Sequence, residues 1–199
     1  MSKSFLIKPN YIRIYGHRGA RGDIVENSIE GFKYTFGLGI KAIEFDVVIS
    51  KDNIPVLFHD FRLNVDMVKD NNGNWIENRD LKIINLTYNE LQTYNIESLK
   101  PDSKYSNRFK KQQSVKGAKI SRLIDLFKLA TEEENKDVFL NLEIKSTPIE
   151  AGLTPDPQTL VSLILKDIKD IGIVKLTEHD IARHHLVKHI INAYSKSKA

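Results

Sequence analysis

The chain has no cysteine. That excludes a disulfide framework, a thiolate nucleophile and any cysteine-ligated metal. Long hydrophobic runs are missing too. The most apolar stretches, Asp137–Ile144 and Leu160–Leu165, are under ten residues, against the ~20 that a membrane-crossing helix needs. The first ten residues carry lysines but only the short run Phe5-Leu6-Ile7, too little for a secretory signal. No membrane span is expected, and the cytoplasm is the default compartment. There is no internal repeat and no low-complexity segment. Hydrophobic content of 41% over 199 residues is enough for one core of ordinary size.

Charge is not extreme. The net value is +4, which fits a lysine-rich surface rather than a dedicated polyanion-binding face. The strongest local excess runs from Lys104 to Lys119, with six basic residues and no acid between them. Its only aromatics are Tyr105 and Phe109. Nucleic acid is therefore not an expected partner, because single-strand binding needs interleaved stacking platforms. A solvated connection is the simplest reading of this segment.

The remaining pattern alternates between strand and helix. Tyr11–Tyr15 reads as a strand ending at Gly16-His17. Glu26-Asn27-Ser28 supplies a helix start, Ile29, Phe32, Phe36 and Leu38 approximate helical spacing, and Gly39 is a stop. Lys41–Ile49 is a second strand, Asp52-Asn53 a turn, and Pro55–Phe58 a third strand. Phe61–Asn85 reads as polar and loop-like, with a tight turn at Asp70–Asn74. Thr87 and Glu90 form a capping-box pattern. Ser121–Glu134 is amphipathic, with Leu123, Ile124, Phe127 and Ala130 on its apolar face. Val138–Lys145 is a fourth strand, and Asp156-Pro157 opens a helix to about Ile171. This order predicts an α/β fold with a mostly parallel sheet and helices outside.

Chemistry-bearing residues sit at the strand ends. Residues i and i+2 of a strand share a face, so Glu44 and Asp46 stand side by side, roughly 6.5–7 Å apart at Cα. Two carboxylates so placed can lean onto one hard cation. Alternate acids on a strand are as a rule a solvated face. Here the flanks Ala42, Ile43, Phe45, Val47 and Val48 are those of a strand buried on both sides, and buried carboxylates need a cationic partner. Glu143 and Lys145 repeat the spacing on the fourth strand. His17 and His59 fall at the ends of strands one and three, where a parallel α/β sheet collects function at one rim. A lone histidine beside glycine is usually structural, and His59-Asp60 alone reads as a capped turn. The ordered set together describes a metal-assisted phosphate-ester site.

That set resembles a known family. GHRGARG at 16–22, ENS at 26–28, IEFDV at 43–47 and LFHD at 57–60 are similar to the glycerophosphodiester phosphodiesterases. Weaker likeness continues through LTYNEL at 86–91, KISRLIDL at 119–126 and LNLEIKS at 140–146. Ser121-Arg122 stands where the family commonly has Pro-Thr. The resemblance covers roughly residues 11–170. It implies a hydrolase of the TIM (β/α)8-barrel type that cuts glycerophosphodiesters to glycerol 3-phosphate and an alcohol, in lipid and glycerol metabolism. It implies that Glu44, Asp46 and Glu143 hold one divalent cation, Mg²⁺ or Ca²⁺. His17 and His59 would be the acid/base pair, and Arg18 and Lys145 the phosphate contacts.

A full barrel has eight strands and typically about 250 residues, whereas four strands are expected here before Gly172. Residues 11–172 are thus expected to be the N-terminal, catalytic part of a barrel. Residues 173–199 are expected to form a basic amphipathic tail outside the family pattern. His185 and His189 in that tail have helical i, i+4 spacing, with His179 and His184 close by, but no acidic third ligand follows them. Self-association or a complementing second half-barrel would close such a structure. The alternative is an inactive remnant, or a metal- or phosphate-binding module that needs a separate second half. A phosphatidylinositol-type phospholipase fits Glu-x-Asp followed by a close His-Asp less well.

Overall fold

The computed structural model describes residues 12–147 and 149–165. They form strands β1 (Gly16–His17), β2 (Ala42–Ile49), β3 (Pro55–Leu57) and β4 (Phe139–Ile144). Between and after them come helices α1 (Ile29–Gly37), α2 (Tyr88–Leu91), α3 (Lys104–Arg108), α4 (Leu123–Thr131) and α5 (Pro157–Leu165). The remainder of the expected last helix beyond Leu165, the tail and its four histidines lie outside the described residues.

β2 is the centre of the sheet. β1 and β4 both run parallel to it, while β3 runs antiparallel. β4 occupies one edge along Ala42–Val47, and β1 and then β3 share the opposite edge. The fold is therefore α/β with a mostly parallel sheet, as the alternation predicts, and three of its four strands are of the parallel barrel kind. β3 is a return hairpin instead. Its turn is built by Ser50, whose hydroxyl accepts from Ile54 N and donates to Asp52, and by Asn53 in the left-handed region. The first strand is also shorter than expected. Only Gly16 and His17 find partners on β2, and Ile12 and Ile14 stand exposed.

Two cores flank β2. Ile43, Phe45, Val47 and Ile49 face α1 and α4, where they join Phe32, Leu123, Leu126 and Leu129. Phe45 and Phe32 are both fully buried and meet edge to face at 6.0 Å. α4 turns differently from the expected face. Leu123, Leu126 and Leu129 are buried, but Ile124 is exposed, because the i, i+3 row of leucines fits the sheet better than the row through Ile124. Replacing Phe45 with alanine should cost about 3–5 kcal/mol of stability. Urea unfolding reads this, and a loss under about 1 kcal/mol would deny Phe45 its central place.

The second core belongs to residues 58–120, the long excursion between β3 and α4. The expected polar loop at Phe61–Asn85 instead buries Leu63, Val65, Met67, Val68, Ile76 and Ile83 against Val48 and Val56. Leu63, Val65 and Met67 alternate, but Val68, Ile76 and Ile83 break the period and polar residues surround them, so no single periodicity reveals the set. The excursion packs on Val48 and Val56 near the C-terminal end of β2. Among the helix ends, the capping box of Thr87 and Glu90 forms as expected. Ser28 caps α1 through Gly31 N. At α5 the cap is Asp156, whose carboxylate accepts from Gln158 N and Thr159 N.

Candidate active site

Register brings the charged residues to one face. His17 lies opposite Glu44, and Asp46 lies opposite Glu143. Cross-strand partners share a face, as do i and i+2 on one strand. His17, Glu44, Asp46 and Glu143 therefore converge, while Phe45 and Val47 point into the core on the other side. Lys145 continues the row past the end of β4, tied by its backbone N–H to Val47 O.

His59 arrives by another route than the parallel-strand end expected for it. The β2–β3 hairpin sends the chain back alongside β2, and Phe58 N–H donates to Asp46 O at 3.2 Å. The next residue is thus delivered beside the acid cluster. His59 Nδ1 is 2.6 Å from Asp60 Oδ1, and Asp60 Oδ2 accepts from Asn64 at 2.9 Å. Asp60 is accordingly more than a turn residue. It orients the imidazole and leaves Nε2 for other partners.

Burial pushes the Asp60 carboxyl up, but the His59 and Asn64 hydrogen bonds, with the charges of His59 and Arg18, outweigh it and hold the group below its ordinary value. The sign follows. A depressed carboxyl contributes stability above its unfolded value, about 3.9, and loses it as pH falls through the folded value. The Asp60 side chain is 40% exposed, so solvent screening keeps this to about 1 kcal/mol or less. Urea midpoints for the parent chain and Asp60→Asn should differ at pH 7 and draw together as pH falls below about 3.9. A gap that stays constant or widens as pH falls further would contradict this.

Arg18 is set by backbone as much as by charge. It has φ +51°, in the left-handed region that non-glycine residues seldom occupy. Gly16 makes the tight approach possible, since a Cβ there would lie 2.4 Å from Gly19 O. Arg18 N–H donates to Glu44 Oε2 at 3.0 Å. Its guanidinium donates to Glu26 at 2.8 Å and pairs with Asp46 Oδ2 at 3.2 Å. Burial works against this cation, but Glu26 and Asp46 outweigh it and raise its pKa.

Glu26 is the hub that sequence reasoning missed. It holds Arg18 through one oxygen and Arg21 through the other at 2.8 Å, and it accepts from the Tyr105 hydroxyl. Tyr105 in turn accepts from Arg21 Nη2 at 2.6 Å. Burial and then the Glu26 charge push the Tyr105 phenol up, so it stays a donor. Asn27, also at φ +51°, donates to Asp46 Oδ2 at 2.9 Å and accepts from Asp46 N–H. The Glu26-Asn27-Ser28 motif is thus a helix start only at Ser28. Its first two residues brace the site. Tyr105 comes from the basic segment expected to be a solvated connection, and nothing local in the sequence links it to Glu26.

The carboxylates of Glu44, Asp46 and Glu143 each offer an oxygen within 4.8 Å of the others. Asp46 is fully buried, Glu44 half-buried and Glu143 exposed. Asp46 Oδ1 is buried and makes no hydrogen bond. Lys145 Nζ stands 3.0 Å from it as a charge partner without the alignment of a hydrogen bond, and donates to Glu143 at 2.6 Å. Burial lowers the Lys145 pKa, but Glu143 and Asp46 outweigh it and raise it. An all-oxygen, anionic donor set with an unsatisfied buried oxygen fits a hard divalent cation. His17 Nε2 lies 3.7 Å from Glu44, and its side chain is 61% exposed. A cavity of about 660 Å³ opens from Glu143, Lys145 and His59 along the start of the excursion. The site combines a cationic clamp, an acidic triad and two imidazoles, which is the equipment for attack on a phosphate ester.

The sequence model of the Glycerophosphoryl diester phosphodiesterase family matches residues 17–191, and the chain belongs to that family. The Glycerophosphodiester phosphodiesterase of Caldanaerobacter subterraneus subsp. tengcongensis is 29% identical over 133 residues, which are 67% of this chain and 45% of that protein. The Homo sapiens Glycerophosphocholine phosphodiesterase GPCPD1 is 26% identical over 146 residues, 69% of this chain and 22% of that protein. A solved structure from Silicibacter pomeroyi, assigned as a glycerophosphoryl diester phosphodiesterase, superposes with a TM-score of 0.71 at 31% identity. It covers 80% of this chain and 52% of that one. The chain thus spans about half or less of the length of each of these three. The fold is of the barrel type that the family resemblance implies. Among the described residues no helix is long and apolar enough to cross a membrane.

Proposed function

We propose that this chain hydrolyses glycerophosphodiesters to glycerol 3-phosphate and an alcohol, in lipid and glycerol metabolism. The observation that carries the reading is the convergence of Arg18, His17 and the Glu44–Asp46–Glu143 triad, with His59 on the wall of the cavity that Glu143 and Lys145 also line, in a member of this family. We assign Glu44, Asp46 and Glu143 as ligands of one divalent cation, Mg²⁺ or Ca²⁺. Such an ion, when bound, offsets negative charge building on the phosphoryl oxygens.

The chain's own residues do the rest. Arg18, held rigid by Glu26 and Asp46, presents donors to the phosphate. Lys145 adds a second positive contact at the other side of Asp46. One histidine takes the proton of the attacking nucleophile, water or a glycerol hydroxyl, and the other returns a proton to the leaving alkoxide. Each transfer is worth about 10²–10⁴-fold. His59 suits either task because Asp60 fixes its ring and leaves Nε2 free to face the substrate. His17 is open to solvent at the edge of the site. Asp46 itself is fully buried beneath Arg18, Asn27 and Lys145.

We assign residues 11–172 as the catalytic part of the barrel and residues 173–199 as a tail, although the family match runs on to residue 191. Among the described residues neither β1 nor β4 has a partner on its outer edge. Those edges are where further barrel strands would join, from a second copy or a complementing segment. Release of glycerol 3-phosphate from glycerophosphoglycerol by the purified chain, lost in His17→Ala, tests the proposal. Folded protein that releases none would refute it.

A further inference from the structure

The cavity beside His59 and Lys145 has a polarity of its own. Its volume, about 660 Å³, is ample for the alcohol half of a small diester. Two acids line it, and both are committed. Asp60 is taken by His59 and Asn64, and Glu143 by Lys145 and the acidic triad. Two arginines also line it, and their situations differ. Arg62 is tied to Asp80 at 2.8 Å and to Glu150 at 2.5 Å. Arg79 is exposed on the cavity wall and has no ion pair among the described residues. The uncommitted charge of the cavity is therefore positive. The one phenyl ring in the wall, Phe61, packs partly against the core of the excursion and cannot form a cage for a quaternary ammonium.

We infer that this cavity receives the alcohol portion of the substrate and that Arg79 selects an alcohol carrying a carboxylate over one carrying a cationic amine. The inference rests on the proposed phosphodiesterase reading, because the cavity opens from that site. A guanidinium offers paired donors that match a carboxylate. The phosphate between Arg18 and Lys145 places the ester oxygen at the cavity mouth, and the alcohol's carbon chain then lies along Leu63 and Ile144, which line the wall. This sets the chain apart from relatives named for glycerophosphocholine.

The test is equilibrium binding, which does not depend on turnover. Calorimetry with Ca²⁺ present compares 2-phosphoglycolate, phosphocholine and inorganic phosphate, on the parent chain and on Arg79→Glu. Phosphoglycolate should bind the parent more tightly than phosphocholine. The substitution should weaken phosphoglycolate about fivefold, the scale of one exposed charge pair, while inorganic phosphate is unchanged. Equal or tighter binding of phosphocholine by the parent overturns the inference, as does a substitution that weakens all three ligands alike. Selective binding without release of glycerol 3-phosphate from any diester would keep the cavity assignment and remove the catalytic one. Release without selectivity would do the reverse. No binding of any of the three overturns both.

Discussion

Asp46→Ala should abolish measurable Mg²⁺ and Ca²⁺ binding and lower turnover about 10³-fold or more, the scale of several kcal/mol of charge stabilisation. Asp46 is the most buried of the three acids, and it alone has an unsatisfied oxygen facing the others. The loss has a second part. Arg18 and Lys145 both lean on Asp46, at 3.2 and 3.0 Å. Removing the carboxylate leaves two cations facing each other with Asn27 unpaired, and breaking a buried pair costs about 3–5 kcal/mol. Asp46→Asn separates the two effects. It keeps the shape and an acceptor for Asn27 but removes the charge, so it should fold better than the alanine variant and still bind no cation. Titration calorimetry measures the binding, and urea unfolding measures the stability. Cation affinity unchanged in folded Asp46→Ala would sink the triad.

His59→Ala should lower kcat by about 10²–10⁴-fold with cation affinity intact. The imidazole touches none of the three acids within ion-pair distance; its partner is Asp60. Its loss therefore removes proton transfer without disturbing the ligand set. Asp60→Asn should give a smaller loss of kcat and little change in KM, since it releases the ring without deleting it. A kcat for His59→Ala within about threefold of the parent would exclude proton transfer by this group.

The parts of the site that lie on regular strands are legible in the sequence. Glu44-x-Asp46 and Glu143-x-Lys145 follow from the two-residue period of a strand, and the parallel pairing of β2 with β4 puts Asp46 opposite Glu143. His59 is legible as a residue but not by its route, because a hairpin strand of three residues looks like a parallel one in sequence. The excursion reads as polar loop and is not one. Its buried residues are a short alternating run, Leu63, Val65 and Met67, followed by Val68 and then isolated Ile76 and Ile83, held in turns and bridges rather than a strand. Tyr105 is out of reach altogether. Its bond to Glu26 spans 79 positions, and a tyrosine in a lysine-rich stretch carries no local sign of such a partner. Glu26 and Asn27 have a sign, the two polar residues ahead of Ser28, but helix capping explains them sufficiently at that level. Only the left-handed turns at Arg18 and Asn27 reveal that both side chains point into the site.

The most direct measurement is release of glycerol 3-phosphate by the purified chain before chelation, after chelation, and after return of Mg²⁺ or Ca²⁺. The account predicts release that chelator stops and one of the two cations restores, with no restoration in Glu44→Ala. Release that persists after complete removal of divalent cations would contradict it, because the three carboxylates would then serve His17, Arg18 and Lys145 alone.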